Sequence, residues 1–157
     1  LDQHIRQLRQ IGAGVCKEEL PWVAMPVKKK IGFIKKSWEG ADKLYREGHQ
    51  DAYETEAGTI YGLLREAWER ALEEVLLGGV VERYRKNIQS QQIAKIADIT
   101  PQDCKELEDG MTKSSAWLIG HDQAPAAKAD MPEPPELNTD ITMLEDWVKR
   151  INLRRRK

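Results

Sequence analysis

From Tyr53 to Val75 an apolar side chain returns at every third or fourth position: Tyr53, Ala57, Ile60, Leu64, Ala67, Ala71 and Val75, with Glu and Arg among the intervening residues. That is the period of one face of an α-helix, and it does not fit a strand, whose faces alternate every second residue. A long helix with one apolar stripe needs partners that cover the stripe. The chain supplies two. Ile31, Ile34, Trp38, Ala41 and Tyr45 repeat the pattern after Pro26, placed as the first helical residue, and before Gly48, placed as the stop. Leu137, Ile141, Leu144, Val148 and Ile151 repeat it again, in a helix opened by Pro135. These stripes predict an all-α fold, an antiparallel helical bundle or hairpin of long amphipathic helices.

The segments between the stripes are less regular. Gly78–Gly79 is expected to end or bend the long helix, after which Val80, Val81, Tyr84 and Ile88 resume a helical stripe. "TPQD" at 100–103 has the composition of a helix start: Thr100 caps, Pro101 enters the first turn and Asp103 faces the exposed amides. The helix it opens carries Cys104, Leu107, Met111 and Trp117 as its apolar face. A Pro-rich linker, about 121–135, then leads to the C-terminal helix and is expected to be exposed and irregular. Residues 1–24 form a connector and 25–157 the helical domain.

With 157 residues and a net charge of −1, the chain suits one domain with no global field for polyanions. No apolar run approaches the roughly 18–20 residues that cross a bilayer, so no membrane partner is expected. Cys16 and Cys104 are too few for a disulfide scaffold and wrongly spaced for zinc, which points to a reduced, cytoplasmic setting and no metal. The start at Leu1 is expected to reflect processing or a longer parent. The patterns GxxxxGK[ST], GxGxxG, HExxH and paired CxxC are all missing, so no cofactor is expected on this chain.

Three groups of residues invite chemistry. Arg65 and Glu69 stand four apart on one helix face, where the plain reading is a solvated ion pair. With His121 as a titratable third member they would form a candidate catalytic set for metal-free RNA cleavage. His121 itself follows Gly120 and has an equally simple role at a helix end, hydrogen-bonding the last carbonyls. The neighbouring Ser114 and Ser115 lack a nucleophile elbow. Finally, Lys28, Lys29, Lys30, Lys35 and Lys36, interleaved with Phe33 and Trp38, are candidate nucleic-acid contacts, with Arg154–Lys157 as a second basic cluster. Such lysines are more often the solvated face of an amphipathic helix.

The stretches "ELPWVAMPVKKKIGFIKK", "LLREAWERALEEVLLGGVVERYRKNIQ" and "SSAWLIGHDQAPA" together resemble the C-terminal region of a bacterial family of SMC-like AAA/ABC-type ATPases with coiled-coil arms. The resemblance runs from about Glu19 onward. That family also contains the anticodon nucleases of phage defence. It implies that ATP and Mg belong to a missing ATPase core, and that this core or a second subunit is the partner. The region matched here would be a non-catalytic helical domain. The anticodon nucleases use an Arg-x-x-x-Glu pair and a distant His, which implies for Arg65, Glu69 and His121 the alternative of a HEPN-like RNase effector. A nucleic-acid-binding helical module is the remaining alternative.

Overall fold

The computed structural model describes residues 21–118 and 130–156, and among them no strand occurs. The expected all-α bundle is what forms. Four helices carry it: α1 (Val27–Arg46), α2 (Gln50–Ala71), α3 (Pro101–Trp117) and α4 (Pro134–Arg155). A single 3-10 turn (Trp22–Ala24) precedes α1. A π-helical turn (Leu72–Leu76) continues α2, and a 3-10 segment (Ser90–Ile96) leads towards α3.

The α1–α2 hairpin follows from local chemistry. Gly48 adopts φ 81°, and the His49 N–H donates to Leu44 O at 3.0 Å while the Gly48 N–H donates to Tyr45 O at 3.1 Å. This is the Schellman arrangement, in which a left-handed glycine lets two orphaned carbonyls find donors. Pro26 sits one residue outside α1, and its carbonyl accepts from Lys29 and Lys30, each at 3.0 Å. The start of α1 returns to the end of α2, where the Val27 N–H donates to Glu74 at 3.2 Å.

Helices α2 and α4 run the same way, with Tyr61 beside Asp140 near one end and Arg155 beside Val75 at the other. Helices α1 and α3 run opposite to them, each touching both. All seven residues of the α2 stripe and all five of the α4 stripe are buried, as are Ile31, Ile34 and Ala41 of α1. Trp68 and Trp147 meet edge-on in the centre with centroids 5.3 Å apart. Beside them α3 comes very close to α2. A Cβ at Gly110 would lie 2.3 Å from Trp68 Cε2.

Three expectations are corrected. Cys104 is exposed, and the buried residues of α3 are Asp103, Gly110 and Ser114, with Leu107, Met111 and Trp117 half-buried around them. The face is small and polar because the helix must fit beside two indoles and because Asp103 has ionic partners there. The stripe expected at Val80, Val81, Tyr84 and Ile88 does not exist. Gly78 and Gly79 adopt φ 53° and 80°, and two successive left-handed residues cannot continue a right-handed helix. Only Val80 of that set is buried, and Tyr84 is 99% exposed. Lastly, the linker ends earlier than expected. Pro134 and Pro135 form the first turn of α4, and Pro132 and Pro134 are buried. Their carbonyls are anchor points: Tyr53 Oη donates to Pro132 O at 2.5 Å and Trp38 Nε1 to Pro134 O at 2.8 Å. Residues 121–129 of the linker lie outside the described residues.

The capping box at the start of α3 is larger than the sequence suggests. Thr100 Oγ1 accepts from the Asp103 N–H at 3.1 Å, and Asp103 Oδ2 accepts from the Thr100 N–H at 3.0 Å. The same carboxylate also receives Arg154 at 2.8 and 2.9 Å and Arg150 at 3.0 Å, while Trp147 Nε1 donates to Asp103 O at 3.1 Å.

Two outcomes follow from this packing. Gly110→Ala is expected to cost about 2 kcal/mol in a urea titration, because a rigid buried indole must move. Hydrogen bonds from Arg154 hold the Asp103 carboxyl far below the usual carboxylate range. A group depressed in the folded state contributes stability that is complete above its unfolded value, near 4, and is lost as pH falls through the folded value. Stability is therefore expected to fall progressively below about pH 4. Asp103→Asn is expected to lose roughly 2 kcal/mol at pH 7 and to flatten that acid limb.

Candidate functional site

On α2, Arg65 and Glu69 form the ion pair expected of their spacing, with Nη1 and Oε1 3.1 Å apart. The pair is not isolated. Arg65 Nε donates to Ser115 Oγ at 2.9 Å, which ties it to the last turn of α3. Glu69 Oε2 lies 3.1 Å from Arg83 Nη1, and Arg83 in turn pairs with Glu73. Ser115, noted on sequence only for lacking a nucleophile elbow, is in contact with Arg65. Only the antiparallel docking of α3 on α2 creates it, with Gly110 against Trp68 at one end and Leu118 beside Gly62 at the other. The third candidate of this set, His121, lies outside the described residues.

The lysine run does not form one surface. Lys30 is buried, with Nζ donating to Trp22 O at 2.6 Å and lying 4.0 Å from the centroid of the Trp22 ring. Burial lowers its pKa from the ordinary lysine value. It holds down the turn that precedes α1 and is not presented to a phosphate, which corrects its place among the nucleic-acid candidates. Lys35 is paired with Glu145 of α4 at 2.5 Å, and the resulting hydrogen bond holds the Glu145 carboxyl below the usual range. Lys28, Lys29 and Lys36 are exposed. Of the interleaved aromatics, Trp38 packs on the core, while Phe33 is 47% exposed and tilts against Trp22 at 5.5 Å.

The C-terminal basic cluster is largely consumed inside the fold. Arg154 binds Asp103 and donates to Asp98 O at 2.7 Å. Arg155 pairs with Asp98 at 3.0 Å and donates to Val75 O and, at 2.8 Å, to Leu76 O. These carbonyls end the π-helical turn, so Arg155 acts as a charged cap on that helix end.

A concavity lies elsewhere, between α1 and α4, as a groove of about 620 Å³. Ile31 and Val148 form its floor, with Leu153, 63% exposed, at its side and Gly32 on the opposing helix. Lys28 and Lys35 line it from α1, and Glu145, Lys149 and Arg156 from α4. Of these, Lys28 and Lys35 were candidates on sequence. Arg156 belonged to the second basic cluster, whereas Lys149 and Leu153 were not candidates, because they fall off the α4 stripe and converge with α1 only through antiparallel packing.

Among the described residues no cluster of His, Cys, Asp and Glu has the arrangement of a metal site. No described helix is long and apolar enough to cross a membrane. No family model matches the sequence, and no curated protein or solved structure shows significant similarity to it.

The contrast between Lys30 and Lys28 is directly measurable. Lys30→Ala removes a buried hydrogen bond and a cation–π contact and is expected to cost about 1–2 kcal/mol in urea. Lys28→Ala removes an exposed ammonium and is expected to stay within about 0.5 kcal/mol of the parent.

Proposed function

We propose that this bundle is a non-catalytic docking domain, the helical C-terminal region of an SMC-like AAA family ATPase that packs on its ATPase core or on a partner subunit. One observation carries the reading. The α1–α4 groove has an apolar floor, Ile31 and Val148, and an exposed apolar shoulder at Leu153, whereas the charged groups elsewhere on the bundle are largely paired with one another. Open apolar concavities gain most by being covered. Paired arginines and carboxylates such as Arg65, Glu69, Arg83 and Glu73 are less available for chemistry on a substrate. In this reading ATP and Mg belong to the core, and the bundle contributes shape and surface.

The test begins with the reading frame upstream of Leu1. A phosphate-binding loop encoded there in frame supports the parentage, and a frame without one overturns it. The core encoded there, when co-expressed with this chain, is expected to co-elute with it on size exclusion. The chain alone, titrated with ATP and magnesium, is expected to give no heat.

A second reading, the HEPN-like RNase effector, is favoured by one specific contact. Arg65 Nε to Ser115 Oγ at 2.9 Å puts the end of α3 beside the Arg-x-x-x-Glu pair, and His121 follows Ser115 closely in the chain. Arg65 would hold a phosphate and His121 would move the proton. Cleavage of structured RNA by the chain, lost in His121→Ala with helical circular dichroism unchanged, would establish this reading in place of the first. Absence of cleavage would remove it.

A further inference from the structure

We propose that the groove between α1 and α4 receives an acidic amphipathic helix of about three turns, supplied by the partner protein. The proposal rests on the docking reading above and names the surface and the chemistry of what covers it.

The shape comes first. The lining of α4 extends from Glu145 to Arg156 on one side of the helix, a length of about 17 Å at 1.5 Å per residue. On α1 it follows the matching rhythm of Lys28, Ile31, Gly32 and Lys35. Two antiparallel helices with a shallow apolar trough between them accept a third helix by ridge-into-groove packing, through side chains spaced three and four apart. Ile31 and Val148 supply the floor and Leu153 an exposed apolar shoulder.

Gly32 adds an independent argument. Glycine inside a helix costs stability next to alanine, and nothing in this fold requires one here. A Cβ at Gly32 would meet no atom within 4 Å. The missing side chain therefore deepens the groove at mid-length, where a docked helix would come closest.

Charge then selects the occupant. Lys28, Lys35, Lys149 and Arg156 rim the groove against the single carboxylate of Glu145. That carboxylate is already bound by Lys35 at 2.5 Å and lies 3.7 Å from Lys149. Lys28 on α1 and Arg156 just beyond α4 have no ion-pair partner among the described residues. A helix with Leu-type residues in the trough and Glu or Asp along both flanks satisfies both wall and floor. A nucleic-acid backbone fits less well. The aliphatic floor offers no ring for base stacking, and Glu145 stands where phosphates would run.

The experiment uses the full chain and a displayed library of 18-residue helices. Leu is fixed at positions i, i+4 and i+7, and the flanks are randomised among Glu, Gln and Lys. Glu-rich helices are expected to be enriched. Their affinity is expected to fall about tenfold or more in Gly32→Leu, which fills the trough, and in Lys28→Glu/Arg156→Glu, which reverses the rim. Circular dichroism of each variant confirms that the bundle persists, and Gly32→Ala, which adds only a methyl group in open space, serves as a folded control. Enrichment of Gln- or Lys-flanked helices, or no enrichment, overturns the acidic partner. So does binding that is indifferent to Gly32→Leu. A duplex oligonucleotide bound at low salt through Lys28 and Arg156, and unaffected by Gly32→Leu, would reassign the rim to phosphate. Failure here with intact co-elution of core and bundle removes only the groove's partner, whereas failure of co-elution removes the docking reading itself.

Discussion

The buried carboxylate of Asp103 is the constraint on which the arrangement of α3 and α4 depends. Taking an unpaired charge out of water costs several kcal/mol, and every neighbour of this group offsets that cost. The Thr100 amide and the dipole at the start of α3 favour the ionised form. Arg154 approaches with two nitrogens and Arg150 with one, so the carboxylate oxygens are saturated. Trp147 reaches the backbone carbonyl of the same residue, which seats the central indole pair. One residue thus sets where α3 begins, how far α4 slides along it and where Trp147 lies.

The neighbouring Arg155 performs the same service for α2. The end of a helix leaves carbonyls without donors; here the Gly79 N–H reaches Glu73 O and the Val80 N–H reaches Leu77 O, and Val75 O and Leu76 O are served from another helix. The guanidinium of Arg155 reaches Val75 O and Leu76 O from the last turn of α4 and is held by Asp98. Arginine suits this position because its planar fork serves two acceptors and a carboxylate together. The basic C-terminus is in this way divided by function. Arg154 and Arg155 turn inward to lock the bundle, and Arg156 is left at the mouth of the groove.

The same division separates the lysines of α1. A helix turns about 100° per residue, so a run such as Lys28–Lys29–Lys30 spreads over most of its circumference. Lys28 reaches the groove rim, Lys29 faces solvent and Lys30 is buried under Trp22. A cluster that looks continuous in one dimension becomes three unrelated environments in three.

The sequence by itself determined the buried faces of three helices. The stripes of α1, α2 and α4 are set by a 3.6-residue period, and Gly48 and the Thr100–Asp103 box act within one turn, so both are readable from local order. What only the tertiary structure decided is which side chains from different helices meet. The partners of Asp103 lie 47 and 51 positions away, Ser115 lies 50 from Arg65, and Lys35 lies 110 from Glu145. No local pattern encodes such distances, because they depend on how far one helix slides along another. That slide is chosen by the fit of Gly110 to Trp68 and by the charge on Asp103. The groove belongs to the same class. Its residues lie far apart along the chain and become a surface only when α1 and α4 lie antiparallel, since packing joins what the covalent order keeps apart.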